Sequence, residues 1–354
     1  MLRLEMAGHF LLSPTARNFT LTDVEKLSED QVHALFAQQR WSKYGEGKQV
    51  CPECGAVDSH YVVHRRHQWR CKAKGCARTF SVTTGTKLQD HKLPLKKILQ
   101  IIVIYTTAVK GISASQMART VGVAYQTAFV LLHKLREGLL NNRNLEPLER
   151  HVEVDGGHFS GAVRKDRVKV LTKNNYYKGK FPDGPGHRAV IVFRQISPIK
   201  GQGAERTIVE VAFDENRKHV EPLSRQYIQK GTVVHTDGGD AFLNFSRQWT
   251  HHTVIHKKEY CTADGVNNNQ AESYFARLRR LVRGQIHRMT PKYMLDYANE
   301  IAWREDVRRL ETRAQLCDLL RGCLKQGRSR WWRGYWQGVH RAGELKFDPD
   351  ARAT

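Results

Sequence analysis

The stretch that decides the fold is Val152-Glu-Val-Asp155-Gly156-Gly157, a short β-branched run that leads into an aspartate and two glycines. Residues 233–239 read Val-Val-His-Thr-Asp-Gly-Gly and repeat this arrangement around Asp237. Because β-branched runs predict strands, we expect each aspartate at the end of a strand, with a glycine turn directly after it. Such a strand-end carboxylate leaves room for a metal ion and a phosphate to approach.

Further β-branched runs surround these two, and helical patterns interrupt them. The predicted strands cover residues 151–155, 189–196, 207–213, 232–236 and, as a fifth candidate, 254–256. The predicted helices cover residues 216–229 and a segment that begins near residue 268. Strands and helices mixed in this order predict an α/β domain.

A third acid opens the later helix, in the sequence Asn269-Gln-Ala-Glu272. Helical spacing places Glu272, Arg279 and Arg283 on one face, which suits a metal ion beside a phosphodiester backbone. Asp155, Asp237 and Glu272 together predict a site for two Mg²⁺ ions, with Mn²⁺ as the alternative metal. Two such metals activate the attacking oxygen and stabilise the leaving oxygen of a phosphoryl displacement.

Other side chains compete for the role of third ligand. These alternatives are Glu259, Asp264, Asn268 and Asn269. Glu153 alternates with Asp155 along the first strand and therefore faces the same side. It is a candidate to support the metal ligands, but we expect it to be a solvent-exposed strand acid.

Four of the seven cysteines form a cluster of two pairs separated by 16 residues. The pairs are Cys51 with Cys54 and Cys71 with Cys76. Short strands are predicted over 61–63, 68–70 and 78–82, and together with this cysteine spacing they predict a zinc ribbon. Because four thiolates leave no open position on the metal, we expect the zinc to be structural. The alternatives are thiols without metal, or a variant that uses a histidine from this region.

A helical region lies between the ribbon and the first strand of the α/β domain. A short helix, with Ser115 as its predicted cap, is followed by a turn at Gly122 and a longer helix over residues 125–140. This pattern predicts a helix-turn-helix, with a plain helical hairpin as the alternative. If it binds DNA, the candidate base-reading residues open the second helix: Tyr125, Gln126 and Thr127.

The composition points to an anionic partner. The 354 residues include 58 Lys or Arg and 35 Asp or Glu, which gives a formal net charge of +23. Such a chain binds polyanions through counterion release. Residues 328–336 mix arginine with Trp and Tyr, which can grip a DNA backbone and stack on bases; the alternative is that the tryptophans pack on the protein or a partner subunit. Since no apolar run reaches the roughly 18 residues of a membrane span and no secretion signal opens the chain, we expect a cytoplasmic protein.

These motifs in this order resemble the DDE transposases of bacterial insertion sequences, and within them the IS1595 group, also called ISXO2-like. Besides the ribbon, the resemblance is carried by residues 81–86, 93–95, 152–155, 269–272 and 284–287. It covers about residues 25–310. One departure is Gly156, because the family usually has Glu directly after the first Asp; this puts a second acid there in doubt but not Asp155.

The resemblance implies an RNase H-like catalytic domain preceded by the zinc ribbon and the helix-turn-helix region. The expected segments are a helical N-terminus (1–44), the ribbon (45–88), the helix-turn-helix region (89–147), the DDE domain (148–310) and a basic aromatic tail (311–354). The expected activity is metal-dependent cleavage at the element's ends and strand transfer into target DNA. The expected partners are terminal inverted repeats, target DNA and further copies of the chain at the bacterial nucleoid, with no membrane.

Two other functions compete with transposition. One is a zinc-ribbon DNA-binding regulator built on a catalytically dead nuclease fold, which would not need the three acids. The other is a nuclease that cuts DNA but does not join it.

Overall fold

The structure is a computed structural model that describes residues 10–160, 187–199, 201–254, 267–287 and 289–350. The chain divides into two compact units. The first unit comprises Met1–Asn142 with Val307–His340, and the second comprises Arg143–Asp306 with Arg341–Thr354. None of the described helices combines the length and the apolar character that a membrane span requires.

The described strands and helices follow in chain order. The strands are β1 (His60–Val63), β2 (Gln68–Cys71), β3 (Thr79–Ser81), β4 (His151–Ser160), β5 (His187–Ile196), β6 (Ala204–Ala212), β7 (Val233–Asp237) and β8 (Thr250–Val254). The α-helices are α1 (Leu21–Lys26), α2 (Glu29–Trp41), α3 (Leu95–Thr107), α4 (Ala114–Val121), α5 (Tyr125–Leu140), α6 (Arg217–Tyr227), α7 (Asn269–Leu281), α8 (Met294–Val307) and α9 (Thr312–Leu324).

In the first unit, β1, β2 and β3 form an antiparallel sheet around the cysteine cluster. Helix α2 begins at a capping box, in which Ser28 accepts the N–H of Gln31, and it ends at Trp41. The Trp41 ring packs edge-on against Trp69 of β2 at 5.3 Å between ring centroids. Helix α2 is therefore part of the hydrophobic packing of the ribbon.

The two predicted helices of the helix-turn-helix region are present, with one correction at the first cap. Ser113, and not Ser115, caps α4: its hydroxyl accepts the N–H of Gln116 at 3.1 Å. The helix therefore begins two residues earlier than predicted. Gly122 ends it with φ of +66°, a left-handed conformation that glycine adopts without a Cβ penalty. Helix α5 covers the predicted residues.

The second unit is built on a mixed five-stranded sheet in the order β6-β5-β4-β7-β8. Strands β4, β5 and β6 pair antiparallel, whereas β7 and β8 run parallel to β4. This arrangement confirms the predicted α/β class. The fifth strand lies a few residues earlier than expected, at Thr250–Val254.

Strand β4 is longer than the sequence indicated. It was expected to end at Asp155, but it runs on through both glycines to Ser160, because β5 supplies antiparallel partners for these residues. Its parallel pairing with β7 covers only His151–Glu153. Asp155 therefore lies just beyond the point where the β4–β7 ladder ends, next to the place where the sheet changes from antiparallel to parallel pairing.

Helix α7 packs against β4 through a glycine. A Cβ atom at Gly157 would lie 2.5 Å from the Phe275 ring, closer than side chains can approach. The absence of a side chain at this position therefore lets Phe275, and with it the helix that carries Glu272, approach the strand that carries Asp155.

Candidate functional site

Three carboxylates meet beside the end of the β4–β7 ladder. One oxygen each of Asp155, Glu215 and Asp237 lies within 4.8 Å of the other two. Asp155 is on β4, Asp237 is the last residue of β7, and Glu215 directly precedes Asn216, the residue that caps α6. The sequence predicted the two aspartates, whereas Glu215 was missed.

Backbone groups next to the aspartates hold them in place. The N–H of Gly156 donates to Asp155 Oδ1 at 2.8 Å, and the N–H of Gly239 donates to Asp237 Oδ1 at 3.0 Å. A Cβ atom at Gly156 would overlap the carboxyl group of Glu215. The missing side chain at residue 156 therefore makes the space that Glu215 occupies.

The cluster is electrostatically unfavourable without a cation. Burial, together with the charge of Asp237, raises the pKa of Asp155 to about 7. Burial and the charges of both aspartates raise the pKa of Glu215 to about 8. Like-charged carboxylates in a desolvated site favour a bound divalent cation, and an all-oxygen donor set suits Mg²⁺ or Mn²⁺. The residues present therefore fit a metal ion.

Glu272, the third predicted acid, lies outside this cluster but within its electrostatic reach. It is exposed in the first turn of α7, and its charge contributes to the raised pKa of Asp155. Arg279, also exposed on α7, acts on Asp155 in the opposite direction. Arg283 is exposed in the π-helical turn Val282–Ile286 that follows α7.

The other candidates for the third ligand fall into two groups. Glu259 and Asp264 lie outside the described residues. Asn269 is exposed, whereas Asn268 is fully buried and its side-chain amide donates to Val154 O at 3.4 Å.

Glu153 is not the exposed acid that was expected. It is 2% exposed, because α7 covers this part of β4. Its carboxylate accepts the N–H groups of Gln270 at 2.7 Å and Ala271 at 3.0 Å. Burial raises the pKa of Glu153 to about 7, and these two N–H groups oppose the shift. Glu153 thus caps the N-terminus of α7, at the two residues that directly precede Glu272.

Arg194 completes the support of this helix. Its buried guanidinium donates to Gln270 O at 2.6 Å and pairs with Glu305 at 3.1 Å. Glu305 in turn pairs with Arg277, further along α7. The first turn of α7 is therefore fixed from both sides by buried charged groups.

The four predicted cysteines form the other candidate metal site among the described residues. The sulfur of Cys51 is 3.7 Å from that of Cys76, and the sulfur of Cys54 is 3.6 Å from that of Cys71. Sulfurs bound at about 2.3 Å to a tetrahedral zinc are about 3.8 Å apart. All four sulfurs lie within 4.8 Å of one another, so the cluster fits one zinc ion.

The predicted base-reading residues open α5 in the first unit. Tyr125 and Gln126 are exposed, and Thr127 is half-buried. None of the three belongs to either of the candidate metal clusters found among the described residues.

Comparison with known proteins identifies both parts of the chain. Residues 147–306 match the family profile of the ISXO2-like transposase domain, and residues 27–79 match that of the transposase zinc-ribbon domain. A curated protein of Halobacterium salinarum, described as an uncharacterized protein in transposable element ISH50, is 27% identical over 267 residues. The alignment covers 72% of this chain and 83% of that protein.

These matches define the class. The second unit carries a DDE transposase domain, its mixed sheet is the RNase H-like fold of such domains, and the chain is a DNA transposase. Both matched domains are those of the IS1595 group of insertion-sequence transposases, which confirms the resemblance drawn from the motifs of the chain.

The fit between Gly156 and Glu215 generates a test of the site. We expect Gly156→Ala to weaken Mn²⁺ binding by about tenfold or more, because the added methyl group displaces the Glu215 carboxylate. The site has few protein ligands, so the loss of one has a large effect. The measurement is titration of Mn²⁺ followed by the electron paramagnetic resonance signal of the free ion.

The matched control is Gly284→Ala, since a Cβ atom there meets nothing within 4 Å. Circular dichroism and thermal melting establish that both variants are folded. Unchanged Mn²⁺ affinity in folded Gly156→Ala protein would show that Glu215 does not share a metal with the aspartates.

Proposed function

We propose that this transposase cleaves DNA at the ends of its element and joins the resulting 3′-OH to target DNA, in the cytoplasm and with the help of divalent metal ions. The observation that carries the proposal is the cluster of Asp155, Glu215 and Asp237 within an ISXO2-like domain. Mg²⁺ held there would activate the attacking oxygen and stabilise the leaving oxygen of the phosphodiester.

The protein's own groups then have defined roles. Asp155, Asp237 and the third acid hold the metal ions, and the arginines on and after α7, Arg279 and Arg283, hold the DNA phosphates near them. Because the nucleophile is water in the first step and the DNA 3′-OH in the second, no side chain forms a covalent bond to DNA.

Two acids are candidates for the third ligand. Glu215 is supported by its distance to the aspartates. Glu272 is supported by its place in the motif of the resembling family and by its effect on the pKa of Asp155. We propose that Glu272 is the third metal ligand when DNA is bound, and that Glu215 shapes the site together with the two aspartates.

The test is a cleavage and strand-transfer assay with DNA that carries the element's ends. Removing a ligand charge weakens both steps, so Asp155→Asn and Asp237→Asn should each lower the rates by about 100-fold or more. Glu272→Gln and Glu215→Gln identify the third ligand: the variant that lowers the rates as much as the two aspartate variants has lost it. Asp240→Asn, an exposed acid close to Asp237 in sequence, is the matched control and should retain activity.

The same assay separates the competing functions. A DNA-binding regulator would bind DNA without divalent metal, and none of the four acids would matter to it. A nuclease would cut the element's ends but would fail to join pre-cut ends to target DNA. Full activity of Asp155→Asn and Asp237→Asn would contradict the proposed site.

The ribbon and the helix-turn-helix region are proposed to hold the element's terminal repeats. Zinc bound by the four cysteines would fix the ribbon fold, and Tyr125, Gln126 and Thr127 would contact base edges while basic side chains contact phosphates. Since two ends must be held together for transposition, we propose that two or more copies of the chain assemble on DNA.

Metal analysis tests the ribbon assignment. Purified protein should contain about one zinc per chain, and Cys51→Ser or Cys71→Ser should lose it, because a structural site needs all four thiolates. Cys317→Ser, at a half-buried thiol outside the cluster, should keep the zinc. A wild-type zinc content near zero after purification without chelators would refute this part of the proposal.

A further inference from the structure

The arginine- and tryptophan-rich segment 328–340, hereafter the Arg/Trp segment, packs onto helix α5 within the first unit. Glu137 of α5, only 1% exposed, accepts the hydroxyl of Ser329 at 2.6 Å and the N–H of Arg330 at 2.7 Å. Trp332, 2% exposed, stacks on His133 of the same helix at 4.4 Å between ring centroids. A buried carboxylate and a buried ring thus fix the segment on the helix-turn-helix region.

Aromatic rings connect the start of α5 to the outer part of this segment. Tyr125 stacks on Phe129 at 6.0 Å, Phe129 contacts Tyr335 at 6.1 Å, and Tyr335 contacts Trp336 at 6.2 Å. The rings at the two ends are exposed, Tyr125 by 52% and Trp336 by 60%. Large aromatic rings held rigidly at a surface are typical of binding sites.

The two chain segments that carry these rings have charge of one sign, apart from Glu137. There is no Asp or Glu between Asp90 and Glu137, and none between Asp318 and Glu344. Glu137 is used internally, as described above. The Arg/Trp segment adds three exposed arginines: Arg328, Arg330 and Arg333.

This combination favours DNA over a second copy of the chain as the occupant. Two such surfaces would repel each other, because the segments that form them bring arginines and, apart from the buried Glu137, no carboxylate to pair with them. A polyanion with flat rings matches both features, since arginine contacts phosphates and exposed aromatic rings stack on bases irrespective of their sequence.

We propose that the Arg/Trp segment and the first turn of α5 form a single DNA-binding surface, on which Trp336 stacks on unpaired bases next to the duplex that Tyr125 contacts, while the three arginines hold the adjoining phosphates. Unpaired bases are the ligand because a base in duplex offers its ring face only after unstacking. The inference rests on the proposed function only in taking DNA as the partner, and it does not depend on the metal site.

The test measures binding of full-length, zinc-loaded protein to two fluorescent DNAs in buffer without Mg²⁺ or Mn²⁺. One is a blunt duplex, and the other has the same duplex with a short single-stranded overhang. Wild-type protein should bind the overhang DNA about tenfold more tightly. Trp336→Ala should lose this preference and leave blunt-duplex affinity unchanged, whereas Trp336→Phe should retain most of it.

Tyr44→Ala removes another exposed aromatic ring and should leave both affinities unchanged. Equal wild-type affinity for the two DNAs, or an equal loss on both in Trp336→Ala, would overturn base stacking. Unchanged DNA binding with a lower oligomeric mass in Trp336→Ala would assign the surface to a second copy instead.

The result is separable from transposition itself. If the wild-type protein failed to cleave DNA but kept a Trp336-dependent preference for overhangs, the proposed catalytic function would fail and this inference would stand. If cleavage occurred without such a preference, the reverse would hold.

Discussion

Three carboxylates held close together against their mutual repulsion are the constraint on which the second unit depends. Asp155, Glu215 and Asp237 come from three separate elements, and burial and mutual charge raise the pKa of Asp155 and of Glu215. Rigid backbone positions are needed to hold such a cluster in a defined geometry. The long β4–β5 pairing provides that rigidity, and the early end of the β4–β7 pairing provides the opening.

A second layer of buried charge positions the helix that faces this cluster. Glu153 and Arg194 both form hydrogen bonds with the backbone of the first turn of α7. Glu153 accepts the N–H groups of Gln270 and Ala271, and Arg194 donates to the Gln270 carbonyl. Buried charges of this kind are costly unless they are paired and hydrogen-bonded. Here the pairing also fixes the turn that carries Glu272, so buried groups of the domain set the backbone position of this acid.

Much of the fold was predictable from local sequence patterns. The β-branched runs gave the strands, the cysteine spacing gave the ribbon, and α5 was predicted to the residue because Gly122 and the apolar spacing mark its limits. Asp155 and Asp237 were predictable because each sits beside glycine at a strand. Local patterns could not show that β4 continues past Asp155, since that depends on β5 as a partner.

The remaining features of the site arise from tertiary contacts. Glu215 lies in a connection between β6 and α6 and carries no motif, so only the order of strands in the sheet brings it to the aspartates. The signal in the sequence that relates to Glu215 is Gly156, because a side chain at residue 156 would overlap the Glu215 carboxyl group. Glu153 was misassigned because strand alternation gives the face of a residue but not the helix that covers that face.

The most direct test of the central claim maps the metal position on the folded chain. Fe²⁺ substituted for Mg²⁺ generates hydroxyl radicals at its binding site, in the presence of ascorbate and peroxide, and mass spectrometry locates the backbone breaks. With the ribbon zinc already bound and no free zinc in the buffer, the account predicts breaks next to Asp155, Glu215 and Asp237 that Mg²⁺ suppresses and Asp155→Asn abolishes. Breaks confined to other parts of the second unit, or breaks that persist unchanged in Asp155→Asn, would contradict it.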